Sequence, residues 1–341
     1  MSKKRIALII VVCSIFLFVG ITLSIRFVAF READGKIVFN KASSNADSRI
    51  YITSAMGFPT TPLSAKGEWD VDAILSPDGT KIAFECQIPD VRLCIMNSDG
   101  AHRVRVPQAG NRVMFPNWSQ DSQKITFESG GIFVVDVDGS SLIQLTKSND
   151  RYAYWESIWS PDGRKIAYVV IDGDNWEIYT MNSDGTEQTN VTNHSAGEHS
   201  PVWSPDGEYI FFVSDRSGDD EIYRMKYDGS NIINLTNSSE TDDELGSISP
   251  DGKKIVFSVH DHNLPPHEID VFVMNIDGSG RERLTETPGY DSKPVWGPNG
   301  KHIAFISGRK GDWAVYIMQA NGKFQTRISY GLAAQGVSWQ P

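Results

Sequence analysis

The stretch Pro201-Val-Trp-Ser-Pro-Asp-Gly-Glu-Tyr-Ile-Phe-Phe-Val213 decides the fold, because its parts recur along the chain. Ser-Pro-Asp-Gly stands at Ser76, Ser160, Ser204 and Ser249, with degenerate copies at Ser119 (Ser-Gln-Asp-Ser) and Gly297 (Gly-Pro-Asn-Gly). Successive starts are 43, 41, 44, 45 and 48 residues apart. A period of that size marks a solenoid, an array or a propeller.

Within a period the order is constant. An aromatic-ended segment precedes the Pro-Asp-Gly turn, and a β-rich run such as Lys165-Ile-Ala-Tyr-Val-Val170 follows it. A variable polar loop, a second run such as Glu221-Ile-Tyr-Arg-Met225, an Asp-Gly turn and a short segment ending in Leu-Thr complete the unit. Pro presets φ, Asp bonds the backbone ahead of it and Gly accepts positive φ, so both turns are hairpin chemistry and the four strands are antiparallel neighbours. Runs such as Tyr209-Ile-Phe-Phe-Val213 are apolar on both faces. A blade sandwiched between two others requires that, and a half-exposed sheet does not tolerate it.

The second-strand run occurs seven times, at Lys36, Lys81, Lys124, Lys165, Tyr209, Lys254 and His302. The copy at Lys36-Ile-Val-Phe39 lacks a preceding Trp-Ser-Pro-Asp-Gly, whereas Val337-Ser-Trp-Gln-Pro341 repeats the Val295-Trp-Gly-Pro298 pattern with no run after it. The expected fold is therefore all-β: a seven-bladed β-propeller of four-stranded antiparallel blades over residues 35–341. Residues 335–340 should pair with residues 36–40 and remove the open edges.

The first residues differ from the rest. Lys3, Lys4 and Arg5 precede an apolar run from Ile6 to Ile25, which ends at Arg26. Twenty residues at ~1.5 Å rise match the ~30 Å bilayer core, and the basic cluster stays cytoplasmic. The expectation is a cytoplasmic stub (1–5), a transmembrane signal-anchor helix (6–25), a linker (26–34) and a propeller outside the cytoplasm. A cleaved signal peptide fits less well, since the run exceeds the usual h-region and no A-x-A-like site follows. Cys13 lies inside the run behind Val12, unlike a lipidation site.

The formal net charge of −11 and the lack of a basic stripe beyond the anchor argue against nucleic-acid binding. Three cysteines do not make a disulfide framework. Cys86 and Cys94 flank a hairpin loop, where cross-strand pairing is open to them in an exported location.

The pattern Trp-Ser-Pro-Asp-Gly-x-x-Ile-Ala-(Phe/Tyr), then Ile-Tyr-x-Met-Asn, Asp-Gly and Leu-Thr, resembles the TolB-like propeller repeat, also called the WD-repeat-like or Pro-Asp repeat. The resemblance covers nearly everything after residue 34. It implies a fold more than an activity, since such blades occur in periplasmic scaffolds, in the propellers of prolyl-oligopeptidase-type peptidases and in oligogalacturonate lyases. TolB has an extra α/β domain before a six-bladed ring, whereas seven repeats follow the anchor here. The sequence has no Gly-x-Ser-x-Gly elbow and no hydrolase domain after the repeats, so serine hydrolysis is not expected.

Tight turns occupy one face of such a ring and longer variable loops the other, which is the expected ligand surface. His194, His199, His260, His262 and His267 fall on that loop-rich face, three of them in Val259-His-Asp-His-Asn-Leu-Pro-Pro-His267. Loop-borne imidazoles are candidate transition-metal ligands. The acidic runs Asp172-Gly-Asp174, Asp219-Asp-Glu221 and Thr241-Asp-Asp-Glu244 offer carboxylates for a hard cation, or are simply solvated. Asp215 and Arg216 are expected to brace a hairpin. Trp118, Trp159, Trp203, Trp296 and Trp339 follow the repeat and read as packing, whereas Trp155, Trp176 and Trp313 do not follow it and are candidate ligand contacts.

Two functions follow as expectations. The first is a membrane-tethered, non-enzymatic scaffold whose loop-rich face or central channel binds a protein, peptide or glycan, with no cofactor. The alternative, from the oligogalacturonate-lyase resemblance, is a metal-dependent polysaccharide lyase or hydrolase using His260, His262 and His267 with His194 or His199.

Overall fold

The computed structural model describes residues 33–44, 47–87, 90–107, 113–149, 151–265, 268–329 and 334–341. They form seven four-stranded antiparallel sheets, the blades of one β-propeller. Blade one pairs Ala334–Gln340 with Lys36–Ser44, Asp47–Ser54 and Thr61–Pro62, in that order. The inner strands of blades two to seven are Asp70–Leu75, Met114–Trp118, Tyr152–Trp159, Glu198–Trp203, Thr241–Ile248 and Asp291–Trp296. No helix among the described residues is long and apolar enough to cross a membrane, and the run 6–25 lies outside them.

Apolar runs without polar alternation have a direct cause. Ile37 and Phe39 pack against Ala304, Ile306 and Val315 of blade seven, while Val38 packs against Ile82 and Phe84 of blade two. Blade five repeats this, with Ile210 and Phe212 facing blade four and Phe211 and Val213 facing blade six. Successive side chains on a strand point to opposite faces, and here both faces meet another blade.

The ring closes through its last strand. Lys36 pairs with Gln340, Ile37 with Trp339, Val38 with Ser338 and Phe39 with Val337. Trp339 is buried and its indole N–H donates to the Asp34 carbonyl at 2.8 Å. The Ser338 hydroxyl accepts the Leu75 amide of blade two at 3.1 Å. This closure also accounts for the degenerate turn at Gly297: a Cβ there would lie 2.8 Å from the Trp339 ring.

Candidate functional site

Each inner strand runs from the loop-rich face to the Pro-Asp-Gly face and carries a β-bulge midway. In blade five, His199 pairs with Val213 and Val202 with Phe211, so Ser200 and Pro201 share one opposing residue. Counting back four residues from the serine of each repeat, or from Gly297 in blade seven, gives Asp72, Phe115, Glu156, Ser200, Leu245 and Lys293. The equivalent position in blade one is Gly336. Five of these are non-glycine residues at positive φ, between 49° and 53°. The first residue of such a bulge is ordinarily glycine, and side chains in that region cost free energy that a surrounding fold must offset.

All seven bulge positions line one cavity of about 380 Å³. A second cavity of about 640 Å³, lined by Pro77, Gln120, Pro161 and Pro205, opens toward the Pro-Asp-Gly turns. Both share Ile74, Asn117, Ile158, Pro201 and Val202, so they are two halves of one central channel. The half on the loop-rich side presents two carboxylates, one ammonium, one exposed phenyl ring and the Asn40 amide. Glu156 also ties neighbouring bulges together, because its Oε2 accepts the Ser200 amide at 2.7 Å.

Around this mouth lies a ring of buried ion pairs. Asp70 meets Arg103 at 2.9 Å, Glu198 meets Arg216 at 2.8 Å, Asp243 meets Arg281 at 3.0 Å, and Asp291 meets Arg309. Each guanidinium lies over a phenyl ring of the second strand: Phe84, Phe212, Phe257 and Phe305. Arg216 thus braces its hairpin, and Asp215 joins it by accepting the Gly197 amide at 2.7 Å. Burial raises the Asp243 carboxyl above the usual range although Arg281 pulls it down. Glu221 is likewise inward, held by the Thr236 hydroxyl and the Ser238 amide. Asp243 and Glu221 of the acidic runs are therefore scaffold.

Asp220 and Asp242 lie instead on a seam crossing four blades. The Phe115 and Trp155 ring centroids are 6.0 Å apart, Trp155 and Trp176 meet edge-on at 5.5 Å, and Trp176 meets His199 edge-on at 6.2 Å. His199 Nε2 stands 3.9 Å from Asp220 Oδ1, and the Asp220 amide approaches Asp242 Oδ1 at 3.3 Å. Asp242 Oδ2 then faces His262 Nε2 at 3.1 Å and His260 Nδ1 at 3.6 Å. Burial opposes charge on His199, but the carboxylates around it, Asp220 with Glu156 and Asp215, together raise its pKa; Asp242 raises that of His262.

Of the histidines singled out from the sequence, His260 and His262 come together, joined by Asp242. His199 sits beside Asp220 instead. His194 is exposed and uses its Nδ1 to accept the Ala196 amide at 3.1 Å. His267 lies outside the described residues. Trp155 and Trp176 share the seam, while Trp313 stands apart on blade seven, edge-on to Tyr290 at 4.8 Å. Cys86 and Cys94 are bonded, with Cα atoms 5.9 Å apart. In register, Cys86 faces Arg92 and Cys94 faces Phe84, so the bridge runs diagonally between adjacent strands.

Sequence reasoning missed Asp72, Phe115, Glu156 and Lys293 as site residues, and it took Asp242 as part of an acidic run for a hard cation, not as the partner of His260 and His262. A signal for the first four was present: each stands four residues before the Ser or Gly that opens its turn.

The family model described as the TolB beta propeller domain matches residues 87–269 and 247–341. An uncharacterized protein, Atu1656, of Agrobacterium fabrum is 32% identical over 192 residues, covering 54% of this chain and 64% of that protein. The match thus spans a little under two thirds of that relative's length. Among solved structures, TolB from Acinetobacter baumannii superposes with a TM-score of 0.60 at 21% identity, covering 90% of this chain and 83% of the other. An oligogalacturonate lyase in complex with manganese superposes with a TM-score of 0.67 at 13% identity, covering 86% and 85%. At those identities the structural likeness concerns the fold.

Proposed function

Because the chain belongs to the TolB β-propeller family, we propose that it is a binding scaffold that receives an extended protein segment at the channel mouth on its loop-rich face. The observation that carries this reading is the set of bulges lining the mouth. Five side chains are held there on backbone that disfavours them, and strain of this kind is retained where a position serves a site. The lining suits a peptide. It offers opposite charges through Glu156 and Lys293, an amide through Asn117, and apolar surface through Phe115 and Leu245, within a pocket sized for a few side chains. The Trp155–Trp176 seam extends that surface outward from Phe115.

In this reading residues 6–25 span the membrane and the propeller lies outside the cytoplasm. The basic residues Lys3, Lys4 and Arg5 and the length of the apolar run support that orientation.

A photo-crosslinking residue placed at Glu156 of the full-length chain in its native membranes tests the binding reading. Its control is the same residue at Asp228, in an Asp-Gly turn on the opposite face. A discrete protein adduct from position 156 alone is expected. Equal adducts from both positions, or none from either, would overturn it, and an adduct carrying carbohydrate without protein would assign the mouth to a glycan.

A further inference from the structure

We propose that Asp242, His260 and His262 form a site for one transition-metal dication of the zinc class on the loop-rich face of blade six. The backbone register creates the juxtaposition. Asp242 on the inner strand pairs directly with His260 on the second strand. His262 stands one residue past the end of that strand, but its amide still bonds the Glu240 carbonyl at 2.9 Å, so the two-residue spacing from His260 returns its side chain to the same face. One ligand atom from each residue lies within 4.8 Å of the other two.

The Asp242–His262 distance suits a hydrogen bond and the Asp242–His260 distance does not, whereas a shared metal ion suits both. Ligand atoms of a tetrahedral zinc site, at ~2.0–2.2 Å from the ion, stand roughly 3.4 Å apart. The Asp242–His262 and Asp242–His260 separations of 3.1 and 3.6 Å bracket that value. The second is too long for a hydrogen bond, so an ion seated between the groups would satisfy a pair that is otherwise poorly matched. The remaining edge, between the two imidazoles, is no longer than 4.8 Å, so a shared ion asks for a closure of at most ~1.4 Å, and His262 is exposed enough to supply it.

Donor chemistry selects the class of ion. Two imidazoles and one carboxylate favour zinc, cobalt or nickel over calcium and magnesium, which want oxygen. Asp219 and Asp261 lie close enough for their negative charge to act on His262, and they attract a dication to the site. Three protein ligands leave the fourth position to water or to a group from a bound partner. His260 Nε2 is buried without a hydrogen-bond partner among the described residues. Lacking that outer support, the site should bind in the micromolar range, well short of closed structural zinc centres.

The test uses the full chain in detergent, with any affinity tag removed and metal stripped by chelator, titrated with Zn²⁺ by calorimetry and with Co²⁺ by visible absorption. One equivalent of Zn²⁺ is expected, together with tetrahedral Co²⁺ bands and a metal-dependent rise in melting temperature. His262→Ala and Asp242→Asn should each weaken binding at least ~100-fold, since a lost direct ligand costs more than a lost outer partner. His194→Ala should change nothing. Absence of saturable binding, or equal loss in the His194 variant, would overturn the site. The melting temperature of each variant in chelator separates lost ligation from lost folding; should Asp242→Asn melt early, the exposed His262 variant decides.

Discussion

The two faces of the ring are built on different rules. On the Pro-Asp-Gly face one local contact is repeated: the hydroxyls of Ser76, Ser119, Ser160, Ser204 and Ser249 donate to the aspartate two residues on, at 2.5–2.7 Å. Each of those hydroxyls also accepts the amide of the residue five positions later. On the loop-rich face the shared element is a buried carboxylate, and the arginine that meets it arrives by two routes. Arg103 and Arg281 come from just before the fourth strand, whereas Arg216 and Arg309 come from the loop between the second and third. A face fixed by contacts within five residues repeats its sequence. A face fixed by contacts across strands is free to vary, and that freedom lets one blade carry tryptophans and another histidines.

The sharpest way to break this comparison is to remove the one blade assembled from both ends of the chain. Deleting residues 335–341 strips blade one of its inner strand and removes Trp339, whose truncation alone would cost about 3–5 kcal/mol. The deleted chain should lose its cooperative melt, or associate through the bared edge of Lys36–Ser44. A monomer melting at the full-length temperature would show that blade one does not depend on its closure.

The same division explains what the sequence revealed. The turn face was legible because Ser-Pro-Asp-Gly carries its geometry within itself, and the closing strand because Val337-Ser-Trp339 copies Val295-Trp296. Arg216 was legible as a brace from the resemblance of its loop to TolB-like repeats. The channel mouth was not, since a bulge is a property of pairing: nothing local in Phe115 or Lys293 announces a positive φ. The Asp242, His260 and His262 group was half legible. The histidines stood out as a loop and Asp242 as part of an acidic run, but only the cross-strand register puts them together. The disulfide lay between these cases, since its two cysteines are eight residues apart in one hairpin.

A second, smaller effect should appear with pH, and it belongs to the loop-rich face. Glu128 ends the second strand of blade three and reaches blade four, where the Ser157 amide and hydroxyl donate to its Oε1 at 2.9 and 2.6 Å. Its Oε2 is buried without a partner among the described residues. Burial raises its pKa from 4.5 to about 8, with the Ser157 bonds opposing. The folded chain therefore holds a proton that the unfolded chain releases. That contribution is complete below pH 4.5 and is lost as pH rises through about 8. Glu128→Gln keeps the acceptor oxygen and carries no charge. Relative to the wild type, the variant should gain on the order of a few kcal/mol between pH 5 and pH 9, read as the difference in urea midpoints. Parallel pH profiles would mean that water or a cation already neutralises the carboxylate.

The smallest effect contrasts the faces within one strand. Ser200 lies on the inner strand of blade five and Ser204, four residues on, directly follows its end. The buried Ser204 hydroxyl donates to Asp206 at 2.5 Å and accepts the Tyr209 amide at 2.9 Å. Ser204→Ala takes that acceptor from the Tyr209 amide, while the exposed Asp206 keeps the Glu208 amide at 3.0 Å, and the change should cost about 1–2 kcal/mol. Ser200 is at φ 53°, a conformation that glycine adopts without strain. Ser200→Gly loses a 3.1 Å contact between its hydroxyl and His199 Nδ1 and adds entropy to the unfolded chain. Relief of the backbone slightly outweighs both, for a net gain of a few tenths of a kcal/mol. Urea melts of the two variants should thus move in opposite directions. If both fall, the bulge is held by side-chain contacts that the strand needs for folding, and the mouth loses its standing as a site maintained against the fold.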